Sequence, residues 1–213
     1  MVVQLGQNSW ILIGLMSLEI LLILIPLFLS SKIEKKDFQT ILCDMGFEKN
    51  RDFTLKIVAG VSLGILLFFS GDLIIILVKN LIIENLLGTE FIVQGQEGVI
   101  STTPVQPNLT QLIIIIILQI LIIGPCEEAF FRGFFMKKFQ DRTKAIYLIL
   151  ISSTLFAFYH VPPFLVPLST VVTFFGYYFI IGFILTLIFY FFKYSLIPVS
   201  VAHSCFNILI LLI

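Results

Sequence analysis

The chain is 213 residues long, 59% hydrophobic and only 12% charged, and its 13 basic residues balance its 13 acidic residues. This composition is too apolar for an ordinary soluble domain, and no basic patch with interleaved aromatic residues indicates nucleic-acid binding. Apolar runs that approach the ~20 residues needed to cross a bilayer occur at 9–29, 55–79, 109–123 and 195–213. We therefore predict an integral membrane protein that lies in the lipid bilayer and has no nucleic-acid partner.

The charged connectors predict the orientation of the spans. Lysine and arginine cluster in two connectors, 32–56 and 137–144, and clusters of this kind lie on the cytoplasmic face. The connector 80–108 carries glutamates and almost no basic residue, which predicts the opposite face. The first apolar run lacks a basic N-terminal region and a small-residue cleavage site, so we interpret it as a retained span.

The segment 109–139 is too long for one simple crossing. As a helix its ~31 residues would extend about 46 Å, against a hydrocarbon core of ~30 Å. Gly124-Pro125 is the expected break, because proline lacks a backbone donor and disfavours helix just before it. Residues 126–139 would then form a second helix.

Further helices are predicted at 145–160, 164–192 and 195–213. The sequence therefore predicts an all-α, polytopic bundle of six to eight transmembrane helices. We expect a single domain over 1–213, with a motif-bearing core at 109–213.

Three polar residues on different spans fall at similar membrane depths. Glu127 precedes Lys137 by ten residues, and His203 follows Lys193 by ten, so each lies about 15 Å from a cytoplasmic anchor in a helix. His160 lies somewhat deeper. These are the only two histidines of the chain, and intramembrane ionisable residues usually mark function. We expect them to converge on the glutamate.

The segment Cys126–Arg132, CEEAFFR, carries two glutamates with different roles. Neighbours on a helix point about 100° apart, so Glu127 and Glu128 cannot face the same partner. Glu128 and Arg132 have the favourable i,i+4 order for an ion pair, and in lipid that pairing is almost obligatory. Glu127 has no such partner and can act as a base toward water. The residues at 203 and 207, His and Asn, share a helix face and suit an oxyanion as donors.

These residues form three ordered motifs: EEAFFR fits EExxxR, FAFYH fits FxxxH and HSCFN fits HxxxN. The chain thereby resembles the intramembrane glutamate proteases of the CAAX-processing and Abi superfamily, particularly the archaeal Ras-converting CAAX prenyl endopeptidases. The resemblance implies that Glu127 and His160 activate water and that His203 and Asn207 form the oxyanion hole. It also implies cleavage of prenylated proteins or peptides, no metal or other cofactor, and a membrane-embedded polar cavity open to the cytosol.

Other interpretations stay open. Glu127, His160 and His203 also make a two-histidine, one-carboxylate set that a zinc protease could use. A non-catalytic Abi-like immunity or scaffold protein, or an ion-coupled transporter with proton sites at Glu19, Asp72 and Glu127, would use the same polar residues differently. The three cysteines have no CxxC spacing. Cys126, directly before the EExxxR motif, and Cys205, within HxxxN, are expected to be packing residues.

Overall fold

The computed structural model describes residues 3–47 and 52–213, and these residues are almost entirely helical. Four helices are long and apolar enough to cross a membrane: Ser9–Glu34, Phe53–Leu87, Leu109–Lys137 and Leu168–Phe191. Two shorter apolar helices are Ala145–His160 and Leu196–Leu212. The prediction of an all-α membrane bundle is confirmed. The one strand pairing among the described residues is parallel and two residues long, between β1 (Val3–Gln4) and β2 (Ile100–Ser101).

The first span consists of two helices. A short 3₁₀ turn, Leu5–Gln7, leads into α1 (Ser9–Leu18), and α2 (Leu21–Glu34) follows after a two-residue interruption. The amphipathic helix α3 (Phe38–Met45) packs on the cytoplasm-predicted end of α2. Thr40 donates two hydrogen bonds to the Asp37 carboxylate at the start of α3 and thereby lowers the pKa of Asp37. Gly46 ends the helix at φ +111°, where its carbonyl accepts a hydrogen bond from Leu196 N.

The second span begins with α4 (Phe53–Ile76), continues through a π-helical segment (Leu77–Ile83) and ends in α5 (Glu84–Leu87). The connector that follows contains a further helix, α6 (Thr89–Glu97). Thr170 donates a side-chain hydrogen bond of 2.8 Å to the Gly95 carbonyl, so this helix is fixed to the fourth span.

The third span does not break at Gly124-Pro125, so the predicted second helix at 126–139 is wrong. The helix runs without interruption through α7 (Leu109–Leu118), a π-helical segment (Gln119–Ile123), α8 (Gly124–Glu128) and a second π-helical segment (Ala129–Lys137). A π-helical turn changes the local hydrogen-bond pattern, and here it lies directly before Pro125, whose ring would otherwise disturb the α-helical pattern. The continuous helix extends well beyond the thickness of a hydrocarbon core.

The remaining helices enclose the third span. They are α9 (Ala145–His160), α10 (Leu168–Phe191) and α11 (Leu196–Leu212). The fourth span starts after Pro167 and passes straight through Gly176. Helix α4 packs closely on α11 at glycine positions of α4. A Cβ on Gly64 would lie only 2.6 Å from the Ala202 carbonyl oxygen and 2.6 Å from the Cys205 Cβ.

This close contact predicts that Gly64→Val destabilises the bundle by about 1–3 kcal/mol, the usual cost of overpacking. The measurement is the thermal unfolding midpoint in detergent micelles. Gly14→Val is the matched control, because a Cβ on Gly14 would meet nothing within 4 Å. Equal midpoints for the two variants would contradict the tight packing of α4 on α11.

Candidate active site

The EExxxR motif lies on the third span where that helix is most deeply enclosed. The exposed fractions of Glu127, Glu128 and Arg132 are 3%, 0% and 0%. One cause is Gly124, one turn earlier: a Cβ there would collide with Ser204 Oγ and lie 3.0 Å from the Ser200 carbonyl. The absence of a side chain at 124 therefore lets the third span approach α11 closely.

A network of charged hydrogen bonds surrounds Glu128. Its Oε1 accepts from Arg132 Nη1 at 3.0 Å and from His203 Nδ1 at 2.8 Å. The guanidinium also donates to the Gly182 carbonyl at 2.9 Å and to Thr186 Oγ1 at 3.2 Å. The predicted i,i+4 ion pair is present, and it links the third span to both α10 and α11.

His203 is oriented by this network. An ionised carboxylate only accepts hydrogen bonds. Nδ1 of His203 is therefore the protonated ring nitrogen, and it donates the hydrogen bond to Glu128. The other ring nitrogen, Nε2, then faces Glu127, at 3.9 Å from its Oε2. The side chain of His203 is almost completely buried.

His160 faces the same carboxylate oxygen from the opposite helix. Its Nε2 also lies 3.9 Å from Glu127 Oε2. Its Nδ1 lies 2.9 Å from the Phe156 carbonyl, which can only accept, so Nδ1 is the donor and Nε2 of the neutral ring has a free lone pair. The ring stacks on Tyr178, with centroids 4.7 Å apart. The sequence places this histidine at the end of α9, directly before Val161-Pro162-Pro163.

Glu127 Oε2 is therefore the point where the two histidines converge. This oxygen is buried and has no hydrogen-bond partner among the described residues. A separation of 3.9 Å is too long for a direct hydrogen bond, but it is short enough for one small oxygen-bearing group to contact two of these atoms. The structure brings the predicted Glu127, His160 and His203 together.

Asn207 lies on α11 one helical turn after His203, as expected. Its amide is hydrogen-bonded to a side chain of the third span. Its Nδ2 donates to Gln119 Oε1 at 3.0 Å, and the Gln119 carbonyl accepts from Ser204 Oγ at 2.8 Å. Gln119 was not singled out from the sequence. The sequence does distinguish Gln119, because it is the single polar residue between Gln111 and Gly124.

The other candidate residues are separated by the fold. Glu19 lines a cavity together with Phe130 and Tyr159, whereas Asp72 is exposed on α4. Cys126 is a buried free thiol, and Cys205 packs on α4 with Sγ 3.8 Å from the Val61 carbonyl. Within the described ranges, no group of three or more His, Cys, Asp or Glu side chains has the geometry to hold a metal ion.

The network around Glu128 predicts that Glu128→Ala lowers the stability by about 3–5 kcal/mol, because Arg132 would remain charged, buried and without its carboxylate. Thermal unfolding in detergent measures this loss. Asp44→Ala is the control, because it removes the exposed ion pair with Lys36, and such pairs contribute little. Unchanged stability together with lost peptide cleavage would instead place Glu128 in the chemistry.

Comparison with known proteins identifies the family of this site. Residues 109–209 match the family described as type II CAAX prenyl endopeptidase Rce1-like. No curated protein and no solved structure matches the chain. The matched range contains the EExxxR, FxxxH and HxxxN motifs described above. Over these residues, just under half of the chain, the protein is therefore similar to the Rce1-like type II CAAX prenyl endopeptidases.

Proposed function

We propose that this protein is an intramembrane endopeptidase of the glutamate type, a hydrolase that cleaves near the carboxyl end of prenylated CAAX-type proteins. The observation that carries this proposal is the convergence at Glu127: one buried carboxylate oxygen lies 3.9 Å from the Nε2 atoms of two histidines on two other helices. The family match supports the class of reaction. We also propose that residues 1–213 form a single integral membrane domain.

In this mechanism Glu127 and His160 activate a water molecule. The nucleophilic oxygen would lie between Glu127 Oε2 and His160 Nε2, each of which can accept a proton from it. As the oxygen attacks the peptide carbonyl carbon, its proton passes to Glu127 and the carbonyl π electrons move onto oxygen. The oxyanion then collapses to a carboxyl group, the C–N bond breaks, and the same proton is delivered to the leaving amine nitrogen, so that water is the only co-reactant.

His203 and Asn207 would stabilise the oxyanion. Nε2 of His203 can donate a hydrogen bond only when the ring is doubly protonated, because Nδ1 already carries a proton toward Glu128. The Glu128 carboxylate supports that cation directly. Asn207 would supply a second donor, with Gln119 holding its amide. Glu128 and Arg132 then act on the chemistry through the position and charge of His203.

The cavity is proposed to open toward the cytoplasm. Lys138 pairs with Glu34 at 2.7 Å, and Lys137 donates to the Cys43 carbonyl at 3.5 Å. The two lysine-rich connectors therefore meet at one end of the bundle, as expected if both lie on the positive side of the membrane. A peptide would reach the buried glutamate from this end, while its prenyl chain stays in the bilayer.

We predict that Glu127→Gln lowers kcat by about 10²–10⁴-fold, because the amide keeps the shape of the side chain but cannot accept a proton from water. The assay is cleavage of a farnesylated CAAX peptide in liposomes. Asp72→Asn is the control for replacing an intramembrane acid, since Asp72 is exposed and outside the site. Near-normal turnover by Glu127→Gln would remove this residue from the mechanism, and activity lost on chelation and restored by zinc would favour the zinc protease.

A separate prediction concerns the oxyanion hole. Asn207→Ala is expected to lower kcat by about 10²–10³-fold with little change in KM, the usual result of removing one such donor. Asn207→Asp should be at least as damaging, because an ionised carboxylate repels the developing charge. Gln119→Leu should lower kcat less, because the Asn207 amide is still present but is no longer held in one orientation by the Gln119 side chain. A variant Asn207→Ala with a normal kcat and a raised KM would show that Asn207 binds substrate instead.

A further inference from the structure

The His160 imidazole is held in a different way from that of His203. The hydrogen bond of His203 goes to Glu128 on another helix, whereas that of His160 goes to the Phe156 carbonyl of its own helix. The 3.9 Å between His160 Nε2 and Glu127 Oε2 is too long for a hydrogen bond. One hydrogen bond fixes one atom of the ring, but the ring can still tilt, because the last side-chain torsion of histidine has a broad minimum. Another contact must therefore fix its plane.

Three aromatic side chains contact the His160 ring. Tyr178 of α10 stacks on it, with centroids 4.7 Å apart and an angle of 28° between the planes. Phe156 lies 4.3 Å away at 37°, and Tyr159 lies 5.4 Å away at 79°. Phe156 and Tyr159 belong to α9, the helix of His160 itself. Of these three rings, Tyr178 is the one that connects His160 to a neighbouring helix.

The packing of α9 on α10 sets the place of Tyr178. One turn further along α10, Gly182 has no side chain, and a Cβ there would lie 2.9 Å from a ring carbon of Phe156. The Gly182 carbonyl accepts a hydrogen bond of 2.9 Å from Arg132 Nη2. The contact of Tyr178 with His160 lies one turn away from the Gly182 contact on both helices. The hydrogen bond of Arg132 to α10 therefore also keeps Tyr178 opposite His160.

We propose that Tyr178 is a positioning residue of the active site: its ring fixes the plane of the His160 imidazole, so that Nε2 stays directed at the oxygen shared with Glu127. This inference rests on the proposed role of His160 in activating water. A tilt of the ring would move Nε2 away from that oxygen, and small displacements of a reacting group are costly for the rate. Tyr178 acts through the face of its ring, and its hydroxyl group is not required.

Two replacements of Tyr178 separate the ring from the hydroxyl group. Tyr178→Leu removes the ring and should lower kcat for the farnesylated peptide by about 3–10-fold, which corresponds to the usual value of one aromatic pair, with KM changed less than about twofold. Tyr178→Phe keeps the ring and should retain kcat within about twofold of the wild type. Tyr190→Leu is the matched control, because Tyr190 lies on the same helix and its ring contacts Phe191 and Tyr194. A normal kcat in Tyr178→Leu, or an equal loss in Tyr178→Phe, would overturn the proposal.

A second kinetic comparison tests whether Tyr178 acts through His160 or only stabilises the fold. In a His160→Ala background, Tyr178→Leu should cause no further loss of kcat, because the imidazole that it positions is gone. The same fold-loss in both backgrounds would show that Tyr178 does not act through His160, and it would overturn the proposal.

Nuclear magnetic resonance of the histidine rings separates this inference from the proposed function. The chain has two histidines, so isotope-labelled histidine gives two sets of ring signals, which the spectrum of His160→Ala assigns. The Cε1–H signal of His160 should shift in Tyr178→Leu, because the ring current of Tyr178 is lost, and should keep its position in Tyr190→Leu. If the wild type cleaves no prenylated peptide, the proposed function fails, and this signal still decides whether the rings stack. An unshifted signal in Tyr178→Leu would overturn the inference even in an active enzyme.

Thermal unfolding in detergent checks that each variant is folded. If Tyr178→Leu does not fold, the wild type itself supplies the test through the nuclear Overhauser effect between the two rings. A cross-peak between the ring protons of His160 and Tyr178 is the expected result. Its absence would overturn the proposal.

Discussion

One carboxylate oxygen, Oε1 of Glu128, links the third span to α11 and, through Arg132, to α10. It accepts from Arg132 on its own helix and from His203 on α11, while the same guanidinium binds the backbone of α10. Each charge alone would be costly in a bilayer. Combined in one network, the charges pair with one another and they fix which nitrogen of His203 faces Glu127. The packing of the bundle and the chemistry of the site therefore depend on the same contact.

The two adjacent glutamates divide these tasks because of helix geometry. Glu128 points toward α10 and α11, and its neighbour points about 100° away into the space between the histidines. Both histidines are held through Nδ1, one by Glu128 and one by the Phe156 carbonyl. Nδ1 is thus occupied in each ring, and Nε2 is left for Glu127. The carboxylate that holds His203 suits a cationic hydrogen-bond donor. The carbonyl that holds His160 suits a neutral base.

Much of this arrangement could be predicted because it follows from spacing. The i,i+4 pair and the depth of Glu127 and His203 need only helical geometry. The continuity of the third span was not predictable, because π-helical turns around Gly124-Pro125 depend on close packing against α11. The contact of Gln119 with Asn207 joins residues 88 positions apart. The burial of the Glu19 carboxyl oxygen likewise depends on the interruption of the first span between α1 and α2 and on how the helices pack around it.

The central claim is that Glu127 and His160 act on one reacting atom. The kcat of the double variant Glu127→Gln/His160→Ala, set against the two single variants, tests it most directly, because residues that act as a unit have non-additive effects. If both groups activate the same water, the double variant should cleave a farnesylated peptide about as slowly as the slower single variant. If the two losses multiply, the residues act independently, and the joint activation of water by Glu127 and His160 is contradicted.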